Sequence, residues 1–82
     1  MAKLKFGHEI INHFKKLGWV FSSDDLGLYF NKGDIRISVM YTGPTFTCYK
    51  NRKIGSNWSL VAKQPNLLTD KFVYAWMLAQ MV

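Results

Sequence analysis

The sequence predicts an α+β fold in which an antiparallel sheet of four or five strands carries both helices on one face. Three observations lead to this prediction. An amphipathic helical pattern comes first, alternating segments separated by glycine-containing turns fill the middle, and a strongly apolar helical segment comes last. Since short turns join successive strands, neighbours should pair antiparallel. We expect one small domain over residues 1–82, in the order α-β-β-β-β(-β)-α.

The first helix is predicted over residues 8–17. Ile10, Phe14 and Leu17 recur at the spacing of one helical face. Lysines in the last turn suit the negative end of the helix dipole, and Gly18 suits the position that follows a helix. This helix should therefore pack its apolar stripe against the sheet.

Turn-forming residues divide the middle of the chain into strands. Asn31 to Asp34, around Gly33, and the Gly43-Pro44 pair are typical of tight turns. The predicted strands cover residues 19–21, 26–30, 35–41, 45–50 and 58–63. Alternation places Ile37 and Cys48 on the inner face. In the last strand, Trp58, Leu60 and Ala62 alternate with the outer-face residues Ser59, Val61 and Lys63 and are therefore expected on the inner face.

The sheet face opposite the helices should be largely open. By alternation it carries Tyr29, Arg36, Ser38, Met40, Thr45, Thr47, Tyr49, Ser59, Val61 and Lys63. Tyrosines and cations on a flat strand surface can stack bases or pack a protein partner. The alternative is the ordinary half-solvated face of an antiparallel sheet, which keeps some Tyr and Thr for strand stability.

The last helix is predicted from an N-cap at Asn66 to about Gln80, and it is apolar nearly all round. A domain this small has difficulty hiding a helix on every side, so part of it should face a partner, most simply in a symmetric homodimer. The candidate interface residues are Tyr74, Trp76, Met77 and Met81. Alternatively the first helix and the sheet wrap the last helix, and Met77 and Met81 remain as scattered surface side chains.

Net charge gives the first functional indication. Eleven Lys and Arg against five Asp and Glu give +6, a balance that favours a nucleic acid or an acidic protein surface as partner. Only Arg36 and Arg52 are arginines, so binding should depend mainly on diffuse attraction to phosphates. The alternative is a charge that serves only solubility.

A basic loop is predicted at residues 51–57, directly after Tyr49 and Lys50. Phosphate contact would explain its cations, and so would an ordinary solvated hairpin tip. If the hairpins stack in sequence order, cations of the second and third strands lie nearby. The candidate binding residues are Lys32, Arg36, Tyr49, Lys50, Arg52, Lys53 and Lys63.

The sequence offers no arrangement typical of catalysis or metal binding. His8 and His13 stand five residues apart and cannot share a helix face, and the carboxylates are scattered. Cys48 has no second cysteine to pair with and lies on the predicted inner face, where a thiol is usually inert. We therefore expect no enzyme activity, no cofactor, no metal site and no small-molecule substrate.

The longest apolar stretch, residues 72–81, is far shorter than a membrane span, and the first residues lack the apolar core of a secretory signal. The sequence thus predicts a soluble, cytoplasmic protein without a membrane partner.

The order helix, strands, helix, the basic charge and the fragment Tyr41-Thr42-Gly43-Pro44-Thr45-Phe46-Thr47 resemble the double-stranded-RNA-binding domain. The resemblance implies a shared architecture. It transfers no binding residue, because the last helix opens with Asn66-Leu67-Leu68-Thr69-Asp70-Lys71, which has a single Lys where that family uses a Lys pair.

Two functions fit these observations. The first is a nucleic-acid-binding module that uses the basic loop and the outer sheet face. The second is a protein-interaction module, such as a small regulator or inhibitor from a phage or other mobile element, covering an acidic patch on a host enzyme that itself handles nucleic acid.

Overall fold

A computed structural model describes residues 8–81 and contains two helices and five strands. Their bounds are α1 His8–Lys16, β1 Val20–Ser23, β2 Gly27–Lys32, β3 Ile35–Thr42, β4 Thr45–Ile54, β5 Asn57–Leu67 and α2 Asp70–Met81. The strands form one antiparallel sheet in sequence order, β1-β2-β3-β4-β5. The predicted α+β fold is therefore confirmed, with five strands.

The end of α1 is closed as the sequence predicted. The Gly18 amide donates to the Lys15 carbonyl at 3.0 Å and the Trp19 amide donates to the Phe14 carbonyl at 3.1 Å. These two bonds define a Schellman motif, which needs a residue with positive φ, and Gly18 supplies it at 98°. The chain thereby leaves the helix and enters β1 directly.

The core lies between the two helices and the inner face of the sheet. Its buried side chains are Phe14, Trp19, Leu28, Phe30, Ile37, Val39, Phe46, Cys48, Val73, Met77 and Met81. The Phe14 ring of α1 makes edge contacts with Phe30 of β2 and Tyr74 of α2, at centroid distances of 5.7 and 6.1 Å. Both helices consequently pack on the same face, as predicted.

Close approach of two strands explains Gly27 at the start of β2. A Cβ atom there would lie 2.1 Å from the Val39 carbonyl oxygen, which is closer than any side chain can be. Before it, the Asp24 carboxylate accepts hydrogen bonds from the amides of Leu26 at 2.8 Å and Gly27 at 3.1 Å. The β1–β2 connection is thus shaped by an aspartate turn.

The predicted start of the last helix at Asn66 is wrong. Asn66 lies inside β5 with φ of 60°, a left-handed conformation that Asn tolerates, and Leu67 still pairs with Phe46. The helix begins at Asp70, where the Thr69 hydroxyl caps the Phe72 amide at 3.4 Å. Within the described residues, neither helix has the length and apolarity to cross a membrane.

The predicted basic loop at residues 51–57 is also wrong, since these residues extend β4 and β5 into one long hairpin. Arg52 pairs with Ser59, Lys53 with Trp58, and Ile54 with Asn57 across the Gly55-Ser56 turn. Cross-strand hydrogen bonds outweigh the polar composition that indicated a loop. From Arg52 to Val61 every residue of this hairpin is exposed.

A β-bulge changes which residues of β5 face outward. Lys50 pairs with Ala62 and Asn51 pairs with Leu60, so Val61 is the extra residue. From the hairpin turn up to this bulge, the alternation is opposite to the prediction. Trp58 and Leu60 lie on the outer face, whereas Ser59 lies on the inner face, and the expected placement of these three residues is wrong.

Candidate functional site

The outer face is the sheet surface turned away from α1 and α2, and the strand register defines its members. They are Val20, Ser22, Tyr29, Asn31, Arg36, Ser38, Met40, Thr42, Thr45, Thr47, Tyr49, Asn51, Lys53, Trp58, Leu60 and Lys63. Among these described positions are three cations and no carboxylate. The outer face is therefore a positively charged surface.

Arg36 lies in the middle of β3 and is held from two sides. Its Nε donates to the Asn31 carboxamide oxygen at 2.9 Å, because the two residues are direct cross-strand neighbours. Its guanidinium carbon lies 4.5 Å from the ring centroid of Trp58, two strands away. Both partners are uncharged, so the charge and the terminal amino groups of Arg36 remain available to a ligand.

A second pair of a cation and an aromatic ring lies on β4 and β5. Tyr49 and Lys63 are direct cross-strand partners, and the Lys63 Nζ lies 5.6 Å from the Tyr49 ring centroid. Lys53 is paired with Trp58 nearer the hairpin turn and is exposed. The outer face thus presents two cation-aromatic pairs, with a third cation beside them.

An open depression adjoins Arg36 toward the β1 side of the sheet. It has a volume of about 260 Å³ and is lined by Ser22, Tyr29, Asn31 and Arg36. The Tyr29 hydroxyl donates to the Asp24 carboxylate, at 3.0 and 3.2 Å from its two oxygens. The lining of the depression is therefore made of polar side chains and one tyrosine ring.

Hydrogen bonding and burial shift the pKa values of Asp24 and Tyr29 beside this depression. The amide of Leu26 is the main cause that lowers the pKa of Asp24 below its ordinary value, with the Tyr29 hydroxyl and the Gly27 amide adding to it. Desolvation, followed by the Asp24 carboxylate, raises the pKa of Tyr29 above its ordinary value. At neutral pH, Asp24 is ionised and Tyr29 is a neutral hydrogen-bond donor.

Three of the predicted binding residues lie outside this surface, because strand alternation turns Lys32, Lys50 and Arg52 to the inner side. The Lys32 Nζ lies 5.9 Å from the buried Trp19 ring. The Lys50 Nζ donates to the Gln80 carbonyl at 3.2 Å, where it neutralises the negative end of α2. The structure thus brings Arg36, Tyr49, Lys53 and Lys63 together on the outer face and separates Lys32, Lys50 and Arg52 from them, and a binding role for any of the seven stays a prediction.

The structure also bears on the four residues predicted as an interface on α2. Met77 and Met81 are buried in the core, so the expectation that they lie on an exposed helix face is wrong. Tyr74 and Trp76 are half-buried and pack at the margin of the core. A homodimer interface that includes Tyr74 and Trp76 stays a prediction.

Sequence reasoning missed Trp58 and Asn31 as members of the site. Sequence alternation places Trp58 on the inner face, because it carries no mark of the bulge at Val61. The Gly55-Ser56 pair, flanked by two residues able to pair, was the available signal for a hairpin turn. The sequence predicts Asn31 in a turn, but a turn of Gly33 and Asp34 alone places Asn31 in β2, opposite Arg36.

The structure also locates the groups with chemical reactivity. Cys48 is fully buried, and desolvation raises the pKa of its thiol to about 12, so the thiolate is not formed at neutral pH. Among residues 8–81, no three His, Cys, Asp or Glu side chains lie close enough together to hold a metal ion.

Comparisons with known proteins add no assignment to this geometry. Neither the protein-family models nor the curated proteins nor the solved structures yield a match to the chain. The architectural resemblance to the double-stranded-RNA-binding domain gains no support from them.

Proposed function

We propose that the protein is a non-catalytic module that binds single-stranded nucleic acid on the outer face of its sheet. The observation that carries the proposal is the pair of cation-aromatic contacts, Arg36 with Trp58 and Lys63 with Tyr49, on one open surface. Aromatic rings and guanidinium planes stack bases, and neighbouring cations attract phosphates. We also propose a cytoplasmic location, where the single, buried Cys48 would remain a free thiol.

A single strand suits this surface better than a duplex. The bases of a duplex are stacked on one another and offer no free ring face, whereas the bases of a single strand can lie on Tyr49 and Trp58. The cations stand beside those rings on the sheet, and both helices of the described chain pack on the opposite face. Stacking and phosphate contact therefore occur together.

The ionic strength dependence follows from the number of cations. Arg36, Lys53 and Lys63 are the three cations on the outer face. If each contacts one phosphate, log K should fall with log salt at a slope of about −2 for a single strand. Affinity should therefore be modest and strongly reduced by salt.

Fluorescence anisotropy with labelled single-stranded DNA and RNA of mixed sequence tests the proposal, with the corresponding duplex as a further probe. Lys63→Gln should weaken single-strand binding several-fold and make the salt slope shallower. Lys71→Gln is the matched control, because Lys71 is an exposed cation on α2, outside the outer face. Equal losses for both variants would show that only net charge matters, and absence of binding at low salt would refute the proposal.

A second candidate function is binding to an acidic protein surface, as expected for a small inhibitor or regulator of a host enzyme. The observation that favours it is the apolar exposure of the β4–β5 hairpin, where Ile54, Leu60 and Val61 are 63%, 56% and 53% exposed. A protein partner would bury these side chains beside the cations. This function predicts that Ile54→Ser, an uncharged change beside but not on the outer face, abolishes partner capture and leaves oligonucleotide affinity unchanged.

A further inference from the structure

We infer that the depression lined by Ser22, Tyr29, Asn31 and Arg36 is a phosphate-binding site that holds one phosphate of the bound strand. This inference rests on the proposed function and assigns a specific position to one part of the ligand. The supporting features are the hydrogen-bond donors that remain free in the depression, its size, and the shared position of Arg36.

The donors that face the depression outnumber the acceptors. The guanidinium of Arg36 has five N–H groups, and the bond to Asn31 uses only the one on Nε. Because Arg has no acceptor, the Asn31 atom that meets it must be the carboxamide oxygen, which leaves the Asn31 amino group free to donate. Within the described chain, the Ser22 hydroxyl has no hydrogen-bond partner and can donate as well.

The carboxylate of Asp24, which contacts the lining residue Tyr29, is already occupied by donors. Asp24 accepts hydrogen bonds from the Leu26 and Gly27 amides and from the Tyr29 hydroxyl. These donors offset part of its repulsion toward an anion. Since the Tyr29 hydroxyl points its proton at Asp24, Tyr29 contributes its ring to the lining, and Arg36, Asn31 and Ser22 supply the hydrogen bonds to the phosphate.

Size and position agree with this ligand. A volume of about 260 Å³ is below the roughly 300–1,000 Å³ of pockets that enclose drug-sized molecules, and it suits a phosphate with part of its sugar. Arg36 lines the depression and also lies against Trp58. One guanidinium can therefore bind a phosphate on its β2 side while the ring beside it stacks a base.

Two sources of phosphate share this chemistry, an internal phosphodiester of the strand and a terminal phosphomonoester. The probes are inorganic phosphate and two oligothymidylates of equal length, one with and one without a 5′ phosphate. Tighter binding of the 5′-phosphorylated strand would assign the site to a terminal group, and equal binding would assign it to an internal phosphodiester.

The test is a titration of the ¹⁵N-labelled protein followed by NMR amide and side-chain shifts. Inorganic phosphate should shift the resonances of Ser22, Asn31 and Arg36 with saturation, and it should leave those of α2 unmoved. Asn31→Asp keeps the acceptor for Arg36 Nε but replaces the free donor with a carboxylate. This variant should abolish the phosphate shifts and weaken oligothymidylate binding about tenfold, and Ser22→Ala should weaken it about threefold.

The outcomes separate this inference from the proposed function. If oligothymidylate shifts Tyr49 and Trp58 while phosphate leaves Ser22 and Asn31 unmoved and Asn31→Asp binds like wild type, the phosphate site is refuted and the proposed function stands. If phosphate binds in the depression but no oligonucleotide binds, the proposed function is refuted and the site binds small phosphates. If neither ligand binds, both are refuted.

Discussion

The two faces of the sheet differ in composition although they are built from the same strands. On the inner face, Phe30 and Ile37 are fully buried between the sheet and the helices. Their sequence neighbours on the outer face, Asn31 and Arg36, line an open depression and bond to each other. Alternate residues of the same strand thus stabilise the core on one face and form the candidate binding surface on the other.

The run from Tyr49 to Lys53 shows the same division over five residues. Tyr49 and Lys53 lie on the outer face, whereas Lys50 and Arg52 lie on the inner face. Lys50 bonds to the end of α2. Cations that are close in sequence therefore do not form one site here, because successive side chains of a strand point to opposite faces of the sheet.

The largest loss of stability should come from truncating a buried side chain of the inner face. Phe30→Ala removes a fully buried ring that contacts Phe14 and Phe21, and it should lower the free energy of unfolding by about 3–5 kcal/mol. Urea denaturation measures the change, and Ile37→Val is a milder variant expected to cost about 0.5–1.5 kcal/mol. The outer-face variant Lys63→Gln should stay within about 0.5 kcal/mol of wild type. Equal losses on both faces would contradict the division.

Alkaline pH should lower the free energy of unfolding, because Cys48 is buried on the inner face. Burial raises the pKa of its thiol from 9.0 to about 12, so the thiol loses its proton more readily in the unfolded chain. The resulting stabilisation is fully present below about pH 9 and is lost as pH rises toward 12.

Urea denaturation at several pH values should show this decline, and it should be less steep in Cys48→Ala, which lacks the thiol. Tyr29 and Tyr41, whose pKa values are also raised, remain in both proteins. Identical slopes for the variant and the wild type would show that the thiol contributes nothing to the decline.

Lys50 and Lys53, which are three residues apart, should differ in what their substitution changes, and the effects should be smaller than those above. Lys50→Gln removes the contact with the Gln80 carbonyl and should cost about 1 kcal/mol of stability, with oligonucleotide affinity nearly unchanged. Lys53→Gln should do the opposite, since Lys53 is exposed on the outer face. Thermal unfolding and fluorescence anisotropy on both variants give the comparison. Equal losses of affinity would mean that the run acts as one site.

The features that depend on local pattern could be predicted from sequence. Ile10 and Phe14, the Gly18 terminus and the alternation from Ile35 to Tyr41 predict the first helix, the central strand and its inner face correctly, whereas Leu17, predicted on the same stripe, is exposed just after α1. The same alternation correctly predicts Arg36 and Tyr49 on the outer face.

The remaining features depend on pairing between strands, which composition does not show. The bulge at Val61 places Trp58 and Leu60 on the face opposite to the predicted one. Because Leu67 still pairs with Phe46, the last helix begins later in the sequence than predicted, at Asp70. Strand pairing is also the reason why the predicted basic loop is a hairpin and why Trp58 belongs to the site. A strand register is a property of two segments together, so a single segment read alone cannot give it.

The most direct test of the account compares two tryptophans by fluorescence anisotropy with a single-stranded oligonucleotide. Trp58 lies on the outer face against Arg36, and Trp76 lies half-buried on α2. Since stacking contributes about 1–3 kcal/mol per base, Trp58→Ala should weaken binding about tenfold or more, and Trp76→Ala should bind like wild type while folded. Unchanged binding in Trp58→Ala, or a loss confined to Trp76→Ala, would contradict the assignment of nucleic-acid binding to the outer face.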